Sequence, residues 1–328
     1  MLPAFLGLSG TILTDAERGL IREADPAGFC LFARNVENRA QLRALTDALR
    51  DLSGRADMPI LVDQEGGRVA RLRPPHWPDF PAAARFAALY TKAPISAIEA
   101  ARVNAAALAL TLAEVGINVD AAPVLDLLHP GANAIVGDRS YGADPLQVAA
   151  LGGAMLDGLA AGGVAGVIKH MPGHGRATAD SHHDLPVVSA SPEELAADLA
   201  PFRALAKRAP MAMTAHILFK AWDGRNPATL SPAIIATIIR GEIGFDGLLM
   251  SDDIAMKALS GRLAARAEAA LAAGCDIVLH CSGKAADNKK LANVLPPIDV
   301  IKWTQPVADS SLSYSDLIAK RDALLALA

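Results

Sequence analysis

Aromatic residues are scarce, 4% of the 328 residues, which leaves few rings to stack along an extended polymeric ligand. Positive charge is not in excess: 31 Lys and Arg face 35 Asp and Glu, giving a net charge of −4 and a pI near 6.1. Gripping a nucleic-acid backbone takes a concentrated basic face, so nucleic acid is excluded as the main partner and a small ligand of little charge is expected. Cysteine is limited to Cys30, Cys275 and Cys281, an odd number lying in or beside apolar runs. Such thiols are expected reduced and buried, in a cytoplasmic protein. No Lys or Arg precedes Arg18, so the basic start of a secretory signal is missing. No uninterrupted apolar run reaches the roughly 18 residues of a membrane span, and no membrane partner is expected. A linker is lacking too, at least as far as about residue 283.

What is present is ample material for a core: 52% hydrophobic residues against 20% charged ones mark an ordered globular chain, expected as a monomer. Apolar runs end near Gly7, near Phe32, at Asp63, at Asp120 to Pro123, at Lys169, at His216, at Asp252 and at Cys281. Between them lie helical patterns. Leu42, Leu45, Leu49 and Leu52, and again Val148, Leu151, Met155 and Leu159, recur at spacings of three and four and so form one apolar stripe each. Thr14 with Glu17 and Ser191 with Glu194 fit capping boxes, and Asp144, Ser191 and Ser231 each precede a proline at a first helical position. Gly54, Gly116 and Gly274 are suited to closing helices.

Eight strands alternating with helices predict the α/β class and a single-domain (β/α)8 TIM-like barrel over residues 1–283. Residues 284–328 are expected to form a C-terminal extension, ending in a helix over 315–327, that packs on the barrel's outside. The competing open doubly wound sheet needs a Gly-rich phosphate turn after an early strand. The only near match, Gly173 and Gly175, is surrounded by proline and histidine and opens no helix.

In such barrels chemistry gathers at the carboxyl ends of the strands. Half of the eight histidines fall between His170 and His183, in a stretch that begins as a strand and breaks at Pro172, Gly173 and Gly175. Asp180 and His182, two residues apart in this loop, can pair so that the carboxylate fixes the imidazole tautomer and raises its pKa, which suits a group that first gives and then takes a proton. A solvated polar loop is the plain alternative. The crowding with Lys169 and His170 weighs against it. Leu248 to Met250 run directly into Ser251-Asp252-Asp253, so a carboxylate stands at a strand end; one of the two acids is expected to cap the next helix and Asp252 to react. Asp63, with Arg71 eight residues on, can grip vicinal hydroxyls, one group accepting and one donating, or can be a structural ion pair. Arg139, in a Gly-bounded loop, is a third cation.

Taken in order, DQEGGRV from Asp63, GDRSYG around Arg139, KHMPGHG from Lys169 with DSH at 180–182, and FDGLLMSDD ending at Asp253 resemble the bacterial β-N-acetylglucosaminidases (β-hexosaminidases) of glycoside hydrolase family 3, the NagZ type. The match spans residues 1 to about 283. The resemblance implies one (β/α)8-like barrel that removes terminal β-linked N-acetylglucosamine from peptidoglycan fragments during cell-wall recycling, without cofactor or metal. It implies Asp252 as nucleophile, His182 as general acid and base oriented by Asp180, and sugar contacts from Asp63, Arg71, Arg139, Lys169 and His170. Met171 departs from the Phe or Ile often found in the family, an apolar swap expected to alter packing and not chemistry. Retaining cleavage would proceed through a covalent glycosyl-enzyme. The paucity of aromatics suits an exo-acting pocket for one sugar. Gly173 and Gly175 are expected as hinges of a loop that delivers His182. Two rival classes stand beside this reading. A metal-dependent hydrolase would need several ligands converging on one ion; a catalytically inert sugar-binding protein would have no use for Asp252 or the Asp180–His182 pair.

Overall fold

The structure, a computed structural model, describes residues 1–131, 133–181 and 183–328. Eight parallel strands close into a barrel: β1 (Leu2–Gly7), β2 (Pro26–Leu31), β3 (Ile60–Val62), β4 (Val119–Asp120), β5 (Ala165–Met171), β6 (Met211–Thr214), β7 (Leu248–Asp253) and β8 (Ile277–His280). Each pairs with its sequence neighbours, and β8 closes on β1 through Ala4↔Val278, Phe5↔Leu279 and Leu6↔His280. The expected (β/α)8 architecture is therefore the observed one.

Side-chain alternation divides the core in two. Phe5, Leu61, Val119, Val167, Met211, Met213, Leu248, Met250, Ile277 and Leu279 fill the barrel, while Leu6, Ile60, Val62, Ile168, Leu249 and Val278 face the surrounding helices. Gly28 is needed for this filling, since a Cβ there would come within 2.6 Å of the Phe5 ring.

The helices start and stop where the sequence marks them. Thr14 and Glu17 form the reciprocal capping box of α1 (Asp15–Ala24), Asp144 caps α5 (Pro145–Ala161), and Ser191 with Glu194 caps α6 (Pro192–Leu205). Gly54 closes α2 (Arg39–Ser53) in the left-handed conformation at φ 67°. Ser231 accepts the Ile234 amide at the start of a π-type helix, Ile234–Glu242. The helix α4 (Pro94–Glu114), preceded by the short α3 (Ala83–Tyr90), is apolar and long enough to cross a membrane by composition, but 67% of its apolar window is buried inside the fold. It packs against α5 and the last helix.

After β7, helix α7 (Leu263–Ala273) leads to β8, and α8 (Ala285–Val294) follows, packed against α7 and α1. The chain from 295 to 309 crosses the amino end of the barrel. Ile298 exchanges backbone hydrogen bonds with Met1, the Trp303 indole donates to the Asp57 carbonyl at 2.8 Å, and Ile301 joins the apolar cluster of the barrel interior. The final helix, α9 (Tyr314–Leu325), lies on α4, where Lys320 pairs with Glu99 and Arg321 reaches Asn104.

Candidate active site

At the carboxyl end of the barrel a cavity of about 350 Å³ is lined by Asp63, Glu65, Arg71, Arg139, Lys169, His170, His174, Ser181, Asp252 and Asp253, with Phe32, Met213, Met256, Leu279 and two cysteines, Cys30 and Cys281, among its apolar walls. Six residues singled out in the sequence thus meet here: Asp63, Arg71, Arg139, Lys169, His170 and Asp252. Asp180 is half-buried in the loop after β5, next to Ser181, and its carboxylate lies 4.0 Å from His183 Nε2. His182 lies outside the described residues.

The cations and acids form one alternating chain. Lys169, only 2% exposed, places Nζ 3.2 Å from Asp63 Oδ1 and 2.7 Å from Glu65 Oε1. Arg71 Nη2 donates to Asp63 Oδ2 at 2.7 Å, and Arg139 grips Glu65 bidentately, Nε and Nη2 each at 2.8 Å. Burial opposes ionisation of Asp63 and Glu65, but the Lys169 charge, with Arg71 on one and Arg139 on the other, outweighs it: Asp63 is held below the usual carboxylate range and Glu65 at about 2. Burial likewise works against the Lys169 ammonium, and the two carboxylates overcome it and raise its pKa. Asp63, Glu65 and Lys169 are therefore charged at neutral pH.

Two strand irregularities aim the side chains. Successive residues of a regular strand face opposite sides, yet Lys169 and His170 both line the cavity, and so do Asp252 and Asp253. The pairing of β5 with β6 shifts register between Ile168 and Met171, and that of β7 with β8 shifts between Met250 and Asp253. Such bulges re-aim side chains at strand ends.

The two acids at the end of β7 differ in employment. Asp253 Oδ1 accepts the Ala255 amide at 3.0 Å and the Cys281 amide at 3.1 Å, and burial raises its pKa. It fastens the turn after β7 to the end of β8. Asp252 accepts only the Asp253 amide, at 2.7 Å, and has no ion-pair partner among the described residues. Burial would raise its pKa, but the neighbouring imidazoles of His216 and then His170 favour the carboxylate more strongly, so its pKa is lowered. His216, which also stands just past its strand, is wholly buried between Thr229 Oγ1 at 2.7 Å and the Asp253 carbonyl at 3.0 Å, and burial lowers its pKa.

Asp126 and His174 complete the site, although neither stood out as reactive in the sequence. Asp126 binds His170 Nδ1 at 2.7 Å and the His174 amide at 2.6 Å; burial resists its charge, but His170 holds its pKa at about 2. Burial pushes the His174 imidazole down to about 4, so it is neutral at physiological pH. Its Nε2 faces Ser181 Oγ at 3.4 Å and its ring meets that of His170 edge-on, at 5.6 Å. The Ser181 carbonyl accepts the Ala258 amide, which ties this loop to the turn that follows Asp252. On α6, buried Asp198 holds two loops at once, binding His129 Nε2 at 2.7 Å and Arg176 Nε at 2.6 Å.

The glycines of the loop have a packing role: a Cβ on Gly175 would run into the backbone of Leu127, and one on Gly173, at φ 139°, would crowd Asp198 at 3.2 Å. Among the described residues no group of three or more His, Cys, Asp or Glu side chains is arranged to hold a metal ion.

A pocket at the carboxyl end of a (β/α)8 barrel, lined by paired cations and acids and by one carboxylate with no ion-pair partner among the described residues, has the makings of a glycoside hydrolase site. The glycosyl hydrolase family 3 N-terminal domain matches residues 6–310. The β-hexosaminidase of Bordetella avium (strain 197N) is 38% identical over 93% of this chain and 88% of its own length. That of Alkalilimnicola ehrlichii is 40% identical over 94% and 87%. NagZ from Neisseria gonorrhoeae, solved in complex with N-trifluoroacetyl-D-glucosamine, superposes with a TM-score of 0.88 at 32% identity, covering 99% of this chain and 97% of that one. The chain belongs to glycosyl hydrolase family 3, among the bacterial β-hexosaminidases of the NagZ type.

Proposed function

We propose that this β-N-acetylhexosaminidase is exo-acting and retaining, and that it removes single terminal β-linked N-acetylglucosamine residues from peptidoglycan fragments in cell-wall recycling. In this reading Asp252 attacks the anomeric carbon while His182, oriented by Asp180, protonates the departing oxygen. Water, deprotonated by His182, then releases the sugar from Asp252. Asp63, Arg71, Arg139, Lys169 and His170 hold the sugar.

The observation that carries the reading is the state of Asp252. Of the four acids lining the cavity, Asp63 and Glu65 are paired with cations and Asp253 is occupied by two backbone amides; Asp252 keeps a lowered pKa yet makes no ion pair among the described residues and accepts a single backbone amide. A nucleophile must be in that state. The cavity volume suits one small ligand, near the lower end of the range for such sites, and supports removal of one sugar at a time.

Incubation with a slow-turnover fluorinated N-acetylglucosamine donor, followed by peptide mass spectrometry, is expected to find the label on Asp252. Asp252→Asn should lower kcat on the nitrophenyl N-acetylglucosaminide by about 10³-fold or more with unchanged circular dichroism. Labelling of another residue, or turnover that survives the substitution, would remove Asp252 from the nucleophile role.

A further inference from the structure

Gln64 lies between the two acids that flank Lys169. Asp63 and Glu65 are two apart and share the face toward the cavity, which turns Gln64 the other way. Its side chain is buried, 1% exposed, and every polar atom of it is used on the backbone of the returning strand. Oε1 accepts the Arg71 amide at 2.9 Å and the Leu72 amide at 3.0 Å, and Nε2 donates to the Leu72 carbonyl at 2.9 Å. The Gln64 amide is itself fixed by Asp120 Oδ1 at 2.9 Å.

A primary amide is suited to this task because it presents acceptor and donor on one rigid plane, as a peptide group does. Here it stands in for ladder partners that the short ribbon cannot supply. That ribbon pairs Gln64–Gly66 only with Val69–Ala70, across Gly66 and Gly67 at positive φ, and its register shifts within those few residues. Beyond Ala70 the chain is held to Gln64 by the side chain alone.

What it holds is Arg71. The guanidinium meets Asp63 through Nη2, lies 5.2 Å over the Phe32 ring, and has no partner at its buried Nε among the described residues. With so few side-chain anchors, the place of the guanidinium follows the place of its backbone. We propose that Gln64 is a positioning residue: its amide sets the backbone of Arg71 and Leu72 and so fixes the Asp63–Arg71 pair in the geometry that grips the sugar hydroxyls. This rests on the sugar-binding role proposed above for that pair.

The test compares wild type, Gln64→Leu and Gln64→Glu on the nitrophenyl N-acetylglucosaminide, with calorimetric titration of N-acetylglucosamine and circular dichroism as a check of folding. Gln64→Leu leaves three backbone groups without partners and is expected to raise KM and weaken N-acetylglucosamine binding about tenfold or more, with a smaller change in kcat. Gln64→Glu can restore the pattern only while its carboxyl is protonated, one oxygen donating to the Leu72 carbonyl. Its KM should therefore approach wild type in acid and rise with pH. The charged groups facing position 64 are Asp120 behind it, which burial raises to about 7, and Asp63, Glu65, Lys169 and Arg71 on its own ribbon and on β5. The new limb is accordingly read as the difference from the wild-type profile. Should Gln64→Leu fail to fold, the Gln64→Glu profile decides alone. Equal KM and sugar affinity in a folded Gln64→Leu, or a Gln64→Glu profile parallel to wild type, would overturn the proposal. Wild type that neither binds nor cleaves the sugar would instead overturn the reading on which it rests.

Discussion

The two ends of the barrel are closed by opposite means. At the amino end the chain between α8 and α9 lays Ile298, Ile301 and Trp303 beneath the strands, an apolar floor with a few backbone hydrogen bonds at its edge. At the carboxyl end Lys169 is as buried as a core leucine, and it is surrounded by charges that each cost desolvation and persist only because each has a partner. The floor stabilises the fold by burying apolar area. The roof spends stability on a fixed electrostatic arrangement that awaits a ligand.

That contrast can be broken most severely at Lys169. Lys169→Met keeps the volume but leaves Asp63 and Glu65 facing each other without their common cation. Removing one partner of a buried pair costs about 3–5 kcal/mol, so both the urea midpoint and catalytic activity should fall steeply. A Lys169→Met protein as stable as wild type would mean that Arg71 and Arg139 suffice for the two acids. A change at the other end should separate the two properties. Ile301→Ala is expected to lose about 2 kcal/mol, at the low end for such truncations because the site borders solvent, while kcat/KM stays the same. A parallel loss of activity there would show that the floor and the roof are coupled.

The smallest effect concerns acid. His174 has its pKa lowered to about 4, below its ordinary value of 6.5, so the unfolded chain binds its proton first. The stability it contributes is complete above 6.5 and is lost as pH falls from there toward 4. Asp126, lowered to about 2 from 3.8, keeps its contribution down to about pH 4 and loses it below. Thermal melts of His174→Asn should therefore decline less than wild type between pH 6.5 and 4, and in parallel with it below pH 4. Equal slopes in the upper window would contradict a buried neutral imidazole.

Much of this architecture was legible because strand and helix periods are local properties. Eight apolar runs gave eight strands, and strand-end polarity pointed to Asp63, Lys169, His170, His216 and Asp252, all of which line one cavity except His216, buried behind Asp253. Glu65 escaped notice although its signal was present: two residues after Asp63 on an extended ribbon, it had to share that residue's face. Asp126 offered less, a single acid in the apolar run AAPVLDLL, and its partners are 44 and 48 residues away. The inward turn of both Lys169 and His170 was hidden altogether, since a bulge depends on the register of the neighbouring strand. Gly173 and Gly175 illustrate the converse: read by composition as flexible, Gly173 has a positive φ of 139° and Gly175 lies against the Leu127 backbone, where a Cβ would come within 2.0 Å.

Asp198 connects the roof's parts. His129, from the segment that leads to Arg139, and Arg176, from the segment that leads to Asp180, stand on the same carboxylate. The two lips of the pocket therefore share one footing. A change in either segment is expected to reach the other through the Asp198 carboxylate.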